Sequence, residues 1–146
     1  MFHTNKTEYK KGNFSMAFLH FFKNFILCGS IGWCLECFWT GMDAIRKGKD
    51  KMLRCQTSVW MFPIYGMAAL FSPISRLLKG TPTIFRGTVY TILIYIGEFL
   101  SGSFLKKHKS CPWDYSKAKL NYKGLIRLDY APAWFFSGLL FEKVLK

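Results

Sequence analysis

Four stretches of this sequence carry almost no charge, although 20% of all residues are charged. They cover residues 25–42, 57–78, 88–105 and 131–141, and together they contain only Glu36, Arg76 and Glu98. A helix needs about 20 mostly apolar residues to cross the hydrocarbon core of a bilayer. The pattern therefore predicts an all-α, polytopic membrane protein with four transmembrane helices.

The predicted spans cover about residues 25–42, 57–78, 86–105 and 125–144 of a single domain, 1–146. The fourth has the shortest uncharged core, so a crossing there requires Arg127 and Lys143 to extend toward the headgroups. A final helix lying on the membrane surface is the alternative. Between helices 3 and 4, residues 106–123 are predicted to form an aromatic interfacial loop that covers one end of the bundle.

The net charge of +13 comes from Lys and Arg residues that lie between and beside the apolar stretches. This placement favours contact with the anionic headgroups of the lipid bilayer, where each basic residue near the surface contributes about 1 kcal/mol. Nucleic-acid-binding domains concentrate their basic residues on one face or along one helix. We therefore expect no nucleic-acid partner.

The cysteines do not predict a disulfide framework or a metal site. There are five, an odd number, and three of them fall inside the first apolar stretch. Cys34 and Cys37 form a CxxC without a second pair, and His108 and Cys111 form an isolated HxxC. We expect no metal and no cofactor, and we interpret the buried cysteines as small apolar residues.

Glu36 and Glu98 are the acidic residues of the four apolar stretches, one in the first stretch and one in the third. With four crossings, both lie roughly 10 Å below the same membrane surface at 1.5 Å rise per residue. A charge inside the membrane costs at least ~2.5 kcal/mol and marks a functional site by default. A hydrogen bond between neighbouring helices is the alternative. We expect at least one of the two to be protonated near neutral pH.

The motif CPWDYS, residues 111–116, places Trp113 and Tyr115 on either side of Asp114 in the predicted interfacial loop. Tryptophan and tyrosine rings are common at the depth of the lipid headgroups. Asp114 is placed to accept a hydrogen bond from the backbone amide of Ser116 or Lys117 in a turn. Alternatively, Asp114 joins the two glutamates in an acidic, tyrosine-rich pocket for a cation or a cationic headgroup. The full predicted binding set is Glu36, Tyr65, Tyr95, Glu98, Trp113, Asp114, Tyr115 and Asp129.

The two halves of the chain share a weak pattern. Each has a helix with one glutamate, followed by a segment with a proline near an aromatic residue, Pro63 in the first half and Pro132 in the second. Duplication of one unit is one interpretation of this shared pattern, although the spacing between glutamate and proline differs between the two halves.

Five stretches together resemble a known family: GSIGWCLE (29–36), FPIYGMAAL (62–70), GEFLSG (97–102), CPWDYS (111–116) and GLIRLDYAPAWF (124–135). The chain resembles the bacterial CmpB-like proteins, described as type IV ABC-transporter permeases, and the related transmembrane protein 229 family. The resemblance implies a small polytopic membrane protein. Because the sequence has no GxxxxGK[ST] loop, ATP hydrolysis would require a separate nucleotide-binding subunit. A transport path would require a partner or a homo-oligomer.

These observations favour a non-catalytic transport component of a bacterial cell membrane, with an interior acidic site near one face. One alternative is an assembly or regulatory subunit whose acids hold helices together. Another is a lipid-acting membrane enzyme in which Glu36 and Glu98 serve as acid and base.

Overall fold

The structure, a computed structural model, is mostly helical and describes residues 4–48 and 52–146, with side chains from Ser15 onward. Residues 49–51 of the charged loop after span 1 lie outside the described residues. The helices are α1 (Thr4–Arg46), α2 (Met61–Gly66), α3 (Phe71–Leu77), α4 (Thr83–Lys107) and α5 (Ala131–Val144). A 3₁₀ turn, Met67–Leu70, joins α2 to α3; a hairpin of β1 (Asn121–Tyr122) and β2 (Ile126–Arg127) and a second 3₁₀ turn, Leu128–Tyr130, precede α5.

Two of the described helices are long and apolar enough to cross a membrane: the Ser15–Arg46 part of α1, and α4. The bounds of α4 are close to those predicted for the third span. Helix α1 is longer than the predicted first span, which covers residues 25–42. Its 43 residues extend roughly 65 Å, about twice the thickness of the hydrocarbon core.

The second predicted span is divided into three pieces rather than forming one α-helix. Pro63 and Pro73 are each the third residue of a short helix, α2 and α3 respectively. Proline lacks a backbone N–H and is tolerated in the first turn of a helix, where that N–H has no partner within the helix. The two prolines therefore explain why new helical turns begin here. Together the pieces extend about 26 Å at helical rise.

The last helix begins at Ala131, later than the predicted start near residue 125. The intervening residues form β2 and a 3₁₀ turn, and Pro132 occupies the first turn of α5. β2 pairs antiparallel with β1, with Asn121 opposite Arg127. The 14 residues of α5 extend about 21 Å, which is shorter than the hydrocarbon core.

The bundle consists of two helix pairs. Helix α1 packs along α2 and the 3₁₀ turn that follows it, α4 packs along α5, and α5 also contacts α3. Phe71 stacks on the buried Tyr90 with 4.8 Å between ring centroids, and these two rings form the core with Cys28 and Phe141. An ion cluster joins α4 to the end of α5: buried Glu142 accepts from Arg86 at 3.1 Å and from Lys146 at 2.7 Å.

The outer surface of the bundle carries many large apolar side chains. Side chains that are more than half exposed include Phe18, Phe22, Phe38, Val59, Leu77, Ile84, Phe85, Ile92, Leu100, Phe104 and Phe136. They come from α1, α3, α4 and α5 and from the segment before α2. Soluble monomers rarely expose contiguous apolar patches on this scale. A bilayer would accommodate them.

Candidate acidic and aromatic site

A cavity of about 2100 Å³ opens between the helices at the end of the bundle that carries the loops after α1 and α4. Glu36 of α1 and Glu98 of α4 both line it, and so do Cys55 and Gln56 of one loop and Asp114 of the other. Carboxylates from the two helix pairs thus share one cavity. As predicted, both loops lie at the same end of the bundle.

Glu36 is held by a neighbouring helix. Tyr65 of α2 donates a hydrogen bond from its hydroxyl to Glu36 Oε2 at 2.7 Å. The contact depends on Gly32, one turn earlier on α1, because any Cβ at that position would overlap the Cβ and ring of Tyr65. Gly29 and Gly32 are the positions where the α2 segment approaches α1 most closely, as small residues permit.

Glu98 differs from Glu36 in its hydrogen bonding. Its Oε2 atom is buried and has no hydrogen-bond partner among the described residues. The indole of Trp134 on α5 lies beside this carboxyl and interacts with it, although no hydrogen bond of ordinary geometry joins Trp134 Nε1 to Glu98 Oε2. A buried polar atom without a partner costs about 1–3 kcal/mol. Trp134 therefore holds Glu98 only weakly, whereas Tyr65 holds Glu36 by a short hydrogen bond.

Four aromatic rings form a cluster that lines the same cavity. The ring centroid of Tyr130 lies 5.6 Å from Trp39, 5.8 Å from Tyr115 and 6.3 Å from Trp134, and all three rings stand nearly perpendicular to it. We call these four residues the aromatic cluster. Of the four, the sequence analysis singled out only Tyr115.

A sequence signal for the other three members does exist. Trp39 follows Glu36 by three positions, and Trp134 follows Tyr130 by four. Residues three and four apart lie on the same side of a helix. The spacing could therefore have placed Trp39 beside the acidic face of α1, and Tyr130 beside Trp134.

Asp129 does not join the glutamates. It accepts hydrogen bonds from Arg127 Nε and Nη2, each at 2.8 Å, and these bonds lower its pKa below the usual aspartate value. Arg127 also donates to the Tyr130 hydroxyl at 3.0 Å, and its guanidinium lies 4.3 Å from the centre of that ring. Arg127 therefore neutralises Asp129 and contacts the aromatic cluster through Tyr130.

Tyr95 is the second predicted residue that the structure places outside the cavity lining. Its hydroxyl donates to the backbone carbonyls of Arg127 and Leu128, at 3.3 and 3.1 Å. Tyr95 thus attaches the segment before α5 to α4. The other six predicted residues line the cavity: Glu36, Tyr65, Glu98, Trp113, Asp114 and Tyr115.

The interfacial loop is closed by hydrogen bonds between CPWDYS and the hairpin. Trp113 Nε1 donates to the Leu125 carbonyl at 3.1 Å, and the Tyr115 amide donates to the Gly124 carbonyl at 2.8 Å. Gly124 has a φ of +70°, and a side chain there would overlap Ser116 Oγ. Glycine thus permits both the turn and the close approach.

Asp114 and Tyr115 have different surroundings within the motif. Asp114 Oδ1 accepts the Ser116 amide at 3.0 Å, the turn predicted from the sequence, and hydrogen bonds from Ser116 lower the pKa of this exposed carboxyl. Burial raises the pKa of the Tyr115 phenol above its usual range, and the nearby Glu98 raises it further. Tyr115 is therefore a neutral ring at neutral pH.

The two halves of the chain build similar pairs. Tyr65, which bonds Glu36, lies two positions after Pro63, and Trp134, which lies beside Glu98, lies two positions after Pro132. In each half a proline begins a helix and an aromatic residue in its first two turns faces a glutamate on the preceding long helix. The geometry agrees with duplication of one helix-pair unit.

A family model described as "Putative ABC-transporter type IV" matches residues 23–146, which is most of the chain. The chain belongs to this family. The match includes both glutamates, the aromatic cluster and the interfacial loop, so the whole site of this ABC-transporter family protein lies within the matched region. No solved structure matches the chain. Family membership and the two apolar helices indicate a membrane protein of the transport type, and the family's name points to association with a nucleotide-binding subunit.

Proposed function

We propose that this protein is the membrane-spanning component of a transport complex in a bacterial cell membrane, with its binding site at the acidic cavity near one membrane face. The observation that carries the proposal is the meeting of Glu36 and Glu98, from two separate helix pairs, in one cavity. Two intramembrane carboxylates are costly to insert, at ~2.5 kcal/mol or more for each charged group. Packing alone would be served as well by apolar residues.

We further propose four crossings, formed by α1, the α2–α3 segment, α4 and α5. The exposed apolar side chains on α1, α3, α4 and α5 support this arrangement, as does the position of both loops at one end of the bundle. The short α5 requires Arg127 at one end and Lys143 at the other to lie at headgroup depth.

The basic residues of the interfacial loop support two further parts of the proposal. Lys106, Lys107, Lys109, Lys117, Lys119 and Lys123 all lie in or beside residues 106–123. At a membrane surface they would contact anionic headgroups. The same face is where a nucleotide-binding subunit, or a second copy of the chain, would dock.

An assembly or regulatory role is the second candidate, and a specific observation favours it. The hydrogen bond from Tyr65 to Glu36 joins α2 to α1, as expected if the acid only holds helices together. Glu98 makes no such bond, and this difference is why we place the transport role first.

Affinity purification from the native membrane in mild detergent tests the proposal. We expect an ATP-hydrolysing subunit to copurify with the parent protein and also with Glu98→Gln, because that residue lies inside the cavity, below the loop surface where the subunit would dock. Recovery of a membrane complex that contains no ATPase would instead support the assembly role.

A further inference from the structure

We propose that the acidic cavity binds a quaternary ammonium group, of the choline type, between Glu98 and the aromatic cluster. The inference rests on the proposed binding site and names the class of ligand that the site takes. The group could belong to a phospholipid headgroup or to a free alkylammonium ion, and the shared chemistry is a cation that donates no hydrogen bonds.

The first argument is the free carboxylate oxygen. Glu98 Oε2 is buried without a partner, whereas Glu36 Oε2 already accepts from Tyr65. Arg127, a cation that lines the same cavity, is already bonded to Asp129 and Tyr130. A bound cation would stabilise the ionised form of Glu98, whose Oε2 atom accepts no hydrogen bond from these residues.

The second argument is the wall of the cavity. Trp39, Tyr115 and Trp134 stand nearly perpendicular to Tyr130 within 6.3 Å of its centroid. All four rings line the cavity. Clustered aromatic rings recognise quaternary ammonium groups, because the positive methyl groups contact the negative ring faces.

The third argument comes from the protein's own cation. The guanidinium of Arg127 lies over Tyr130, 4.3 Å from the ring centre. The guanidinium is a broad, weakly hydrated cation, similar in these respects to an alkylammonium group. The cluster thus already binds one cation of this kind through a ring face, at its outer edge.

The donor set favours this ligand over a metal ion. Calcium takes six to eight oxygen ligands, and magnesium requires a nearly ideal octahedron. Here the cation would meet four rings and two carboxylates, one of which is already hydrogen bonded. Because a quaternary ammonium group has no N–H donors, it needs no hydrogen-bond acceptors among the remaining carbonyl and hydroxyl oxygens.

The experiment uses the full-length protein in nanodiscs of phosphatidylglycerol, which has no choline group, with tryptophan fluorescence as the readout. Trp39 and Trp134 lie in the cluster and will report occupancy. We expect a saturable change with tetramethylammonium chloride and none with sodium chloride at equal ionic strength. Glu98→Gln and Trp134→Leu are each expected to weaken the affinity by about tenfold or more. The matched control Trp60→Leu removes a half-exposed tryptophan outside the cavity lining and should bind like the parent.

A second series of nanodiscs contains increasing phosphatidylcholine. If the natural ligand is a lipid headgroup, phosphatidylcholine will produce the same change and compete with tetramethylammonium. If it is a free ion, phosphatidylcholine will have no effect while tetramethylammonium still binds. The inference is overturned if neither probe gives a saturable change, if sodium gives the same change, or if Glu98→Gln binds as tightly as the parent. The ATPase partner is measured in a separate experiment. If the ligand test fails while the ATPase still copurifies, only the proposed class of ligand is rejected and the proposed transport role remains.

Discussion

The hydroxyl of Tyr65 donates to Glu36 Oε2 at 2.7 Å, and this bond joins α1 to α2 through two residues that lie 29 positions apart in the sequence. Glu98, in the corresponding place of the second half of the chain, has the indole of Trp134 beside it but no hydrogen bond at Oε2. The two intramembrane acids are therefore not equivalent. Glu36 joins two helices by a short hydrogen bond, and Glu98 is the acid that we propose binds a ligand.

This difference predicts opposite effects of two matched substitutions. Glu36→Gln should lower the free energy of unfolding by about 1 kcal/mol, because a neutral amide oxygen accepts the Tyr65 hydrogen bond less strongly than a carboxylate. Glu98→Gln should change stability little and impair function, since its Oε2 makes no bond to lose. Thermal unfolding and activity from pH 5 to 9 measure both effects. If both variants match the parent at every pH, the acids are neutral packing groups and the assembly role replaces transport.

Close packing of α1 against α2 predicts a second pair of outcomes. Gly32→Ala should destabilise the protein by about 1–2 kcal/mol, because the new methyl group overlaps Tyr65 and forces the helices apart. Gly97→Ala on α4 is the control, since no atom lies within 4 Å of the added Cβ. Removing a helical glycine there should stabilise by about 0.5–1 kcal/mol. The free energy of unfolding of both variants can be measured in mixed micelles. Equal effects of the two substitutions would contradict the close packing of α1 against α2.

The arrangement of the loops predicts a pattern of thiol accessibility. Cys55 is exposed and Cys111 is half-buried, and their loops lie at one end of the bundle. An impermeant thiol reagent should label both from the same side of the membrane. Cys28 is fully buried and serves as the internal control that resists labelling from either side. Labelling of Cys55 and Cys111 from opposite sides would exclude the four-crossing topology.

The interfacial loop predicts different roles for two adjacent residues. Trp113→Ala should increase proteolysis between residues 108 and 130, because it removes the bond to the Leu125 carbonyl and the packing over Gly102. Asp114→Asn should leave the loop intact, since an amide oxygen can still accept the Ser116 amide. Limited proteolysis measures the first effect. Loss of function in Asp114→Asn at normal expression would show that the charge itself is required.

The ion pair of Arg127 with Asp129 predicts a dependence on acidic pH. The folded-state pKa of Asp129 lies below its unfolded value, so its contribution is present above the unfolded pKa of about 3.9 and is lost as pH falls through the folded pKa. Thermal unfolding of the parent should therefore shift to lower temperature below pH 4. In Asp129→Asn the difference in unfolding temperature between pH 7 and pH 3 should be smaller than in the parent. An unchanged difference would mean that the pair contributes nothing to stability.

The helical class, the charged loops and the positions of the two acids could all be predicted from the sequence. Hydropathy is a local property, so uncharged stretches could be recognised without knowledge of their neighbours. The turn at Asp114 was equally predictable, because its hydrogen bond reaches only to Ser116. The resemblance to the transporter family was also contained in short motifs, and the family match over residues 23–146 agrees with it.

Which side chains contact one another could not be predicted without the three-dimensional packing of the helices. The rotation of α5 about its axis brings Trp134 toward Glu98, and the hairpin before it places Tyr130 among three other rings. Asp129 seemed equivalent to the glutamates in sequence, yet Arg127 two positions earlier neutralises it. Such choices depend on contacts between segments far apart in the chain. Helix rotation and loop closure set those contacts, and no local pattern of residues encodes either one.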